Sequence, residues 1–353
     1  MENNIELGSE FNLDVDELSI VDNNLYSYFE NYHAQWFDYG RSALRSLRIP
    51  KNQKVLLPEF ICESVINCFI AENIVFYRID EYFQIDIKDL IKKLNGTIGV
   101  IYIAHYFGHL QNKHLLERLR ELANKYGCII IEDITQSLFS IHNYYGDYVI
   151  GSVRKWMQTP QGGFMFSNRH SLPENIMIQR SKDNSRAIGM ILKDLYLKVG
   201  YNSNLKYREI FANCENNIDK SEQIKKISNF AEFIIRCVNI DDVKKRRINN
   251  TKYLVGYLKE MGIYPALEFR EDECPLVVPI RVNNRNNFRK YLMENKIYCA
   301  VHWPFDGFQL HNRSNAKWNA ETLISLPIDQ RYGHTEMDYM ISIISRYGGG
   351  LSF

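Results

Sequence analysis

The stretch that most limits what this chain can fold into is Gly127 to Phe166, GCIIIEDITQSLFSIHNYYGDYVIGSVRKWMQTPQGGFMF. Cys128 to Ile131 is a short, β-branched run of the kind a strand buried on both faces requires. Glu132 and Asp133 close it. Ligands of open parallel sheets sit at the carboxyl ends of the strands, so a carboxylate there is well placed to meet one. Tyr148 to Ile150 reads as the next strand, with Lys155 shortly after it. The Gly162-Gly163 pair then leads into a further strand at Phe164 to Phe166. A lysine after a strand becomes a nucleophile when it is partly desolvated or lies beside another cation, and Arg154 is such a neighbour. Lysine with a nearby strand-end aspartate fits pyridoxal phosphate: the lysine forms the Schiff base, and the carboxylate keeps the ring nitrogen protonated so that the ring draws electrons. The same pattern also fits a solvated surface lysine and a turn-forming aspartate. Pattern alone does not choose between them.

Upstream, strands and helices alternate. Lys54 to Leu57, Asn73 to Tyr77 and Ile98 to Ile103 read as strands. Phe60 to Ile70, Asp86 to Leu94 and Gln111 to Lys125 read as helices, the second capped by Asp86 and the third ended by Gly127. This spacing argues for a doubly wound parallel sheet whose right-handed crossovers bring residues 40, 105, 133 and 155 to one edge. Asp38 to Arg45 holds a Gly40-Arg-Ser helix start, with Ser42 as its expected cap. Such a start offers amides, a hydroxyl and a guanidinium to a phosphate. A plain capped helix reads the same way. Leu25 to Trp36 is apolar at helical spacing. Beyond residue 173 helices dominate, over 173–198 and 221–261, with a turn at Gly200 to Asn204. Strands at Leu276 to Val282 and Ile297 to Val301 flank a helix over Arg285 to Asn295. A last helix over Thr335 to Ser345 is expected to be capped by Thr335.

At 353 residues the chain exceeds one ordinary core. The expected division is an arm over 1–24, a large domain over 25–235, and a small C-terminal domain over 236–353 that includes the connecting helix. With 43 basic and 42 acidic residues, nothing in the charge calls for nucleic acid or an anionic membrane as partner. Apolar runs fall short of the roughly 20 residues a span needs. Seven scattered cysteines without a CxxC pair read as reduced thiols of a cytoplasmic protein. His105 and His109 lack a third ligand at suitable spacing, so no metal is expected. His302-Trp-Pro304 reads either as a substrate contact or as a packed histidine.

With these stretches in hand, the chain resembles the DegT/DnrJ/StrS family of pyridoxal-phosphate enzymes, mostly nucleotide-sugar aminotransferases. The motifs stand in family order: Gly40-Arg-Ser-Ala-Leu44, Pro58 with the residues just after it, His105-Tyr-Phe-Gly108, Glu132-Asp-Ile-Thr-Gln136, Lys155 with Gly162-Gly163, Gly200-Tyr-Asn202, and Ser325-Leu-Pro327. The resemblance implies an α/β, type I fold: a mostly parallel seven-stranded sheet sandwiched by helices, plus a small α+β domain. It implies pyridoxal 5′-phosphate as cofactor, glutamate as donor, a nucleotide-linked keto-sugar as acceptor, and a homodimer with shared active sites. It gives Lys155 the Schiff-base linkage and the proton shuttle, Asp133 the ring nitrogen, and Gln136 the phenolic oxygen. Gly40, Arg41, Ser42 and Ser152 would hold the phosphate, with Asn202 joining from the partner chain. The ring-stacking group falls among Phe60, Cys62 and His105. Departures stand beside these. Arg41 replaces the usual threonine, and Val-Arg precedes Lys155. Two alternatives keep the fold: a dehydratase-like chemistry, or a non-catalytic regulator. The family's dehydratases carry histidine in place of the lysine, and Lys155 is intact. A complete Asp133, Gln136 and Lys155 set argues against a silent protein.

Overall fold

The computed structural model describes residues 5–16, 18–140, 143–173, 179–200, 204–304 and 315–347. Its centre is a seven-stranded sheet. In chain order the strands are β1 (Gln35–Phe37), β2 (Lys54–Pro58), β3 (Ile74–Tyr77), β4 (Ile98–Ala104), β5 (Ile129–Asp133), β6 (Tyr148–Ser152) and β7 (Gly163–Phe166). Their spatial order is β1-β7-β6-β5-β4-β2-β3. The pairs from β6 to β3 are parallel, and β7 runs antiparallel to both β1 and β6. The parallel strands are apolar almost throughout because they are covered on both faces. Val55, Leu56, Ile101, Ile130 and Ile131 are fully buried.

Helix Lys113–Tyr126 shows how the sequence covers one face. Asn112 caps its start by accepting from the His114 amide. Leu116, Leu119, Leu122 and Ala123 join the buried cluster of β2, β4 and β5. Gly127 then ends it at φ 69°, a conformation that favours glycine, and turns the chain into β5.

A second core lies towards the C-terminus. An antiparallel pair, Val277–Arg281 with Leu323–Pro327, packs with helices Ile240–Glu260, Arg285–Glu294 and His334–Ser345 around Leu254, Leu258, Phe288, Leu292, Met337 and Met340. The chain's first described strand, Leu7–Gly8, pairs in parallel with Ile297–Tyr298, and Leu7 is buried in this core. Among the described residues no helix is long and apolar enough to cross a membrane.

The α/β alternation is as expected, but several elements differ. Leu25 to Trp36 divides into a short helix (Leu25–Tyr28), a 3₁₀ turn (Glu30–Tyr32) and β1. The helix expected over Phe60 to Ile70 shrinks to Glu63–Ile66. Phe60 and Ile61 are instead spent on the core, and the Phe60 carbonyl accepts from the Tyr106 hydroxyl. Helix Gly40–Ser46 has Tyr39, not Ser42, at its cap position, because Ser42 lies within the first turn. Thr335 is likewise inside its helix. Gly333 is the cap there, its amide donating to the Glu336 carboxylate. Among the described residues of 173–198 the helix is Ser185–Val199, and the stretch over 221–261 reduces to Asn229–Arg236 and Ile240–Glu260. Helix Asn204–Lys220 lies where no helix was expected.

Candidate active site

Three strand ends meet at one cleft. Ala104 at the end of β4 pairs with Asp133 at the end of β5, and Asp133 pairs with Ile150 of β6. The chain leaving β4 presents His105, that leaving β5 presents Thr135 and Gln136, and that leaving β6 presents Arg154 and Lys155. All of these line the cleft, as do Asp133 and Ser152. Beside Ser152 and Arg154 are Tyr39, Gly40 and Arg41 at the start of helix Gly40–Ser46. That helix comes this close because β7 begins with glycine. A Cβ on Gly163 would lie 2.2 Å from the Tyr39 carbonyl carbon and oxygen, and one on Gly40 would meet the Gly151 oxygen and the Ser152 Cβ at 3.3 Å.

Asp133 is held on both oxygens. Its Oδ1 accepts from the Thr135 amide at 2.8 Å, and its Oδ2 from the Tyr102 hydroxyl at 2.6 Å. Tyr102 is fully buried. Burial, and then the neighbouring Asp133 charge, raise its phenol well above the ordinary value, so it stays a donor. His105 is held edge-on. Its Nδ1 accepts from the Gln111 amide at 3.0 Å, which leaves Nε2 as the donor to Glu132, also at 3.0 Å. Glu132 in turn accepts from the Tyr145 and Gly146 amides. Gln136 is oriented differently. Its Oε1 accepts from the Phe107 amide at 2.9 Å, and its buried Nε2 has no protein partner. A buried donor left without an acceptor costs about 1–3 kcal/mol, so this atom calls for a ligand oxygen.

Lys155 closes the 3₁₀ turn Val153–Lys155, and its Nζ lies 5.9 Å from the Trp303 ring centroid. His302, beside it, is packed. Its Nδ1 is 2.8 Å from the Ser325 hydroxyl, and burial together with the Lys155 charge pushes it down to about 3, so it is neutral. Arg154 turns away from Lys155 to Glu215, at 2.8 Å, and lies over the Tyr39 ring.

The DegT/DnrJ/EryC1/StrS aminotransferase family pattern matches residues 41–216. The chain belongs to that family. Its cofactor is pyridoxal 5′-phosphate, and its activity is transamination. A curated relative is dTDP-3-amino-3,6-dideoxy-alpha-D-galactopyranose transaminase of Aneurinibacillus thermoaerophilus. It is 21% identical over 285 residues, spanning 75% of this chain and 70% of that protein. Among solved structures, the aminotransferase TlmJ of Streptoalloteichus hindustanus superposes with a TM-score of 0.66 at 15% identity, over 96% of this chain and 98% of the other. NtdA of Bacillus subtilis with bound cofactor PMP gives 0.64 at 16% identity, over 91% and 74%.

Within this family member the expected site residues fall into three groups. Gly40, Arg41, Cys62, His105, Asp133, Gln136, Ser152 and Lys155 line the one cleft. Phe60 and Ser42 are not among the lining residues. The Phe60 ring is enclosed by Phe83, Tyr106 and Trp303, at 5.9, 5.7 and 5.1 Å between centroids. The Ser42 hydroxyl is turned to Asp38, which burial raises to about 6 against that hydrogen bond. Asn202 lies outside the described residues. Sequence reading missed Tyr39, Tyr102, Thr135 and Ile218, which also line the cleft, and it did not settle the role of Trp303. Tyr102 had a usable signal: it stands two residues before the end of a strand next to the Asp133 strand. His109, weighed as a metal partner of His105, faces Glu273 at 3.0 Å instead.

Proposed function

We propose that this aminotransferase moves an amino group from glutamate to a keto-sugar carried on a nucleotide. The observation that carries the site reading is the meeting of Lys155, Asp133 and the unpartnered Gln136 Nε2 in one cleft. The donor set suits pyridoxal phosphate: an amine for its aldehyde, a carboxylate for its ring nitrogen, and a buried amide N–H for its phenolic oxygen. When bound, the cofactor supplies an aldehyde that takes up the amino group and a cationic ring that draws electrons from the carbon being deprotonated. The side chains of this chain do the rest. Lys155 Nζ would hold the cofactor through its aldehyde and, once freed, its amine would serve as the base that carries the proton of the substrate carbon. Asp133, pinned by Tyr102 and Thr135, keeps the ring nitrogen protonated. Gln136 Nε2 would donate to the phenolic oxygen. Of the stacking candidates, Cys62 and His105 line the cleft, His105 with both ring nitrogens occupied. Gly40, Arg41 and Ser152 hold the phosphate.

The acceptor class rests on the curated relative, which is named as a transaminase of a dTDP-linked amino sugar. We read the chain as a homodimer with Asn202 completing the neighbouring site. It divides into an arm (1–24), a large domain (25–235) and a small domain (236–353), and it works in the cytoplasm, where its seven free thiols stay reduced. Purified protein is expected to absorb in the visible and to bleach on adding glutamate. Lys155→Ala is expected to lose that absorbance and to lower turnover of a nucleotide keto-sugar panel at least a thousandfold. Retention of the absorbance by the variant would overturn the lysine assignment.

A further inference from the structure

The cleft has a polar wall that the motifs do not account for. Helix Asn204–Lys220 places Glu215 and Asp219 four residues apart, on one face, with Ile218 between them lining the cleft. Each carboxylate holds a cleft arginine. Asp219 pairs with Arg41 at 2.6 Å, and the Ile218 carbonyl accepts from the same guanidinium nitrogen at 3.1 Å. Glu215 pairs with Arg154 at 2.8 Å. Behind this layer lies another. Arg186, itself buried, bonds to Glu215 at 2.5 Å and also to the Glu10 carboxylate. Glu10 in turn gives its backbone carbonyl to Lys193 and Arg331. Burial would raise Glu215, but the two guanidiniums outweigh it and bring it down to about 2. It therefore stays ionised and keeps its hold at any working pH.

Both guanidiniums are largely enclosed yet face the cleft, with side chains 15% exposed for Arg41 and 17% for Arg154. Arg154 keeps a buried Nε without a protein partner. Its plane rests over Tyr39, the residue before Gly40, at 5.1 Å from ring centroid. Gly40 itself packs against Gly151 and Ser152. The two arginines therefore stand at the β6–β7 side of the cleft, while Gln136 and His105 stand beyond Asp133 on the β5–β4 side. Planar guanidiniums fixed in orientation by a carboxylate suit a phosphate, which takes several charge-assisted hydrogen bonds at once.

We propose that Arg154, with Arg41 beside it, is an anchoring contact for a phosphate group in the cleft, that of the cofactor. Glu215 and Asp219, backed by Arg186 and Glu10, are the positioning residues that keep the guanidiniums turned towards it. This rests on the cofactor reading above. It ties the N-terminal segment to cofactor binding through four links: Glu10, Arg186, Glu215 and Arg154.

The test compares pyridoxal 5′-phosphate with pyridoxal, which lacks the phosphate. The full-length chain is stripped of cofactor and titrated with each, following the visible absorbance. Absorbance in the parent chain with either ligand establishes the Lys155 site independently of the clamp. Arg154→Gln is expected to raise the Kd for the phosphate ester about ten- to a hundredfold and to leave that for pyridoxal within about twofold. Arg154→Lys is expected to fall between, since it keeps the charge but not the fork. Glu215→Gln is expected to show the same selectivity at smaller size, about three- to tenfold. Equal losses for both ligands, or no loss for either, would overturn the proposal. A weakened dTDP affinity with an unchanged phosphate-to-pyridoxal ratio would also overturn it, assigning the clamp to a substrate diphosphate. Circular dichroism of each variant separates these outcomes from unfolding.

Discussion

Tyr102 carries a consequence that its neighbours in sequence do not reveal. Its hydroxyl is fully buried and donates to one oxygen of Asp133, while the Thr135 amide takes the other. The carboxylate plane is thereby fixed before any ligand arrives, which lowers the ordering cost of binding. Tyr102→Phe removes one of the two restraints. Binding of pyridoxal phosphate is expected to weaken about three- to tenfold, part of the value of a hydrogen bond to a charged group. Absorbance titration of the variant reads this, and an unchanged Kd would release Tyr102 from the role. Asp133 and Lys155 were legible as candidates because each ends or follows an unmistakable strand. The Tyr102 contact was not, because it depends on the register Tyr102↔Ile131 and Ala104↔Asp133, which a single strand does not encode. Arg154 shows the same limit more plainly. Next to Lys155 in sequence, it reads as a neighbouring charge, yet it is spent on Glu215, sixty-one residues on.

At the scale of elements, what decides the cleft is how closely helix Gly40–Ser46 approaches β6 and β7. Gly163 makes that approach possible, since a methyl group there would lie 2.2 Å from backbone atoms of Tyr39 that have nowhere to go. Gly163→Ala is expected to cost about 3 kcal/mol or more, a fall in Tm of about 5 °C or more, and to displace Gly40 and Arg41 from the cleft. Calorimetry checks the first, and cofactor titration at a temperature below the new midpoint checks the second. An unchanged midpoint would mean that helix and strand separate without cost. The parallel strands of the sheet were readable because buried parallel strands are continuous apolar runs, whereas the edge strand β1 was read as part of a helix. Helix Asn204–Lys220 was not read, although Tyr207, Phe211, Cys214 and Ile218 mark a buried stripe at helical spacing. Its polar majority, NLKYREIFANCENNIDK, hides that stripe from any reading by mean hydropathy. The opposite error occurred at Phe60 to Ile70, where apolar residues at helical spacing serve loop and core instead.

At the scale of the molecule, the reading as a dimer with shared sites makes a discriminating prediction. Subunits carrying Lys155→Ala and subunits carrying Asn202→Ala are each expected to be almost inactive as separate preparations. Mixed dimers would contain one site with both Lys155 and Asn202 intact, so co-expression is expected to restore a measurable fraction of the parent rate. Coupled turnover with glutamate measures it. No recovery in confirmed mixed dimers would place Asn202 in the same subunit's site, or in none. A different consequence comes from the pairing of Leu7–Gly8 with Ile297–Tyr298. During synthesis the first of these segments leaves the ribosome while the second is still nearly three hundred codons away. Leu7 must therefore wait, apolar and without its neighbour, until residue 297 has been made. Nascent chains arrested before residue 297 would display that unsatisfied edge to chaperones, and only chains extended past the second segment could withdraw it.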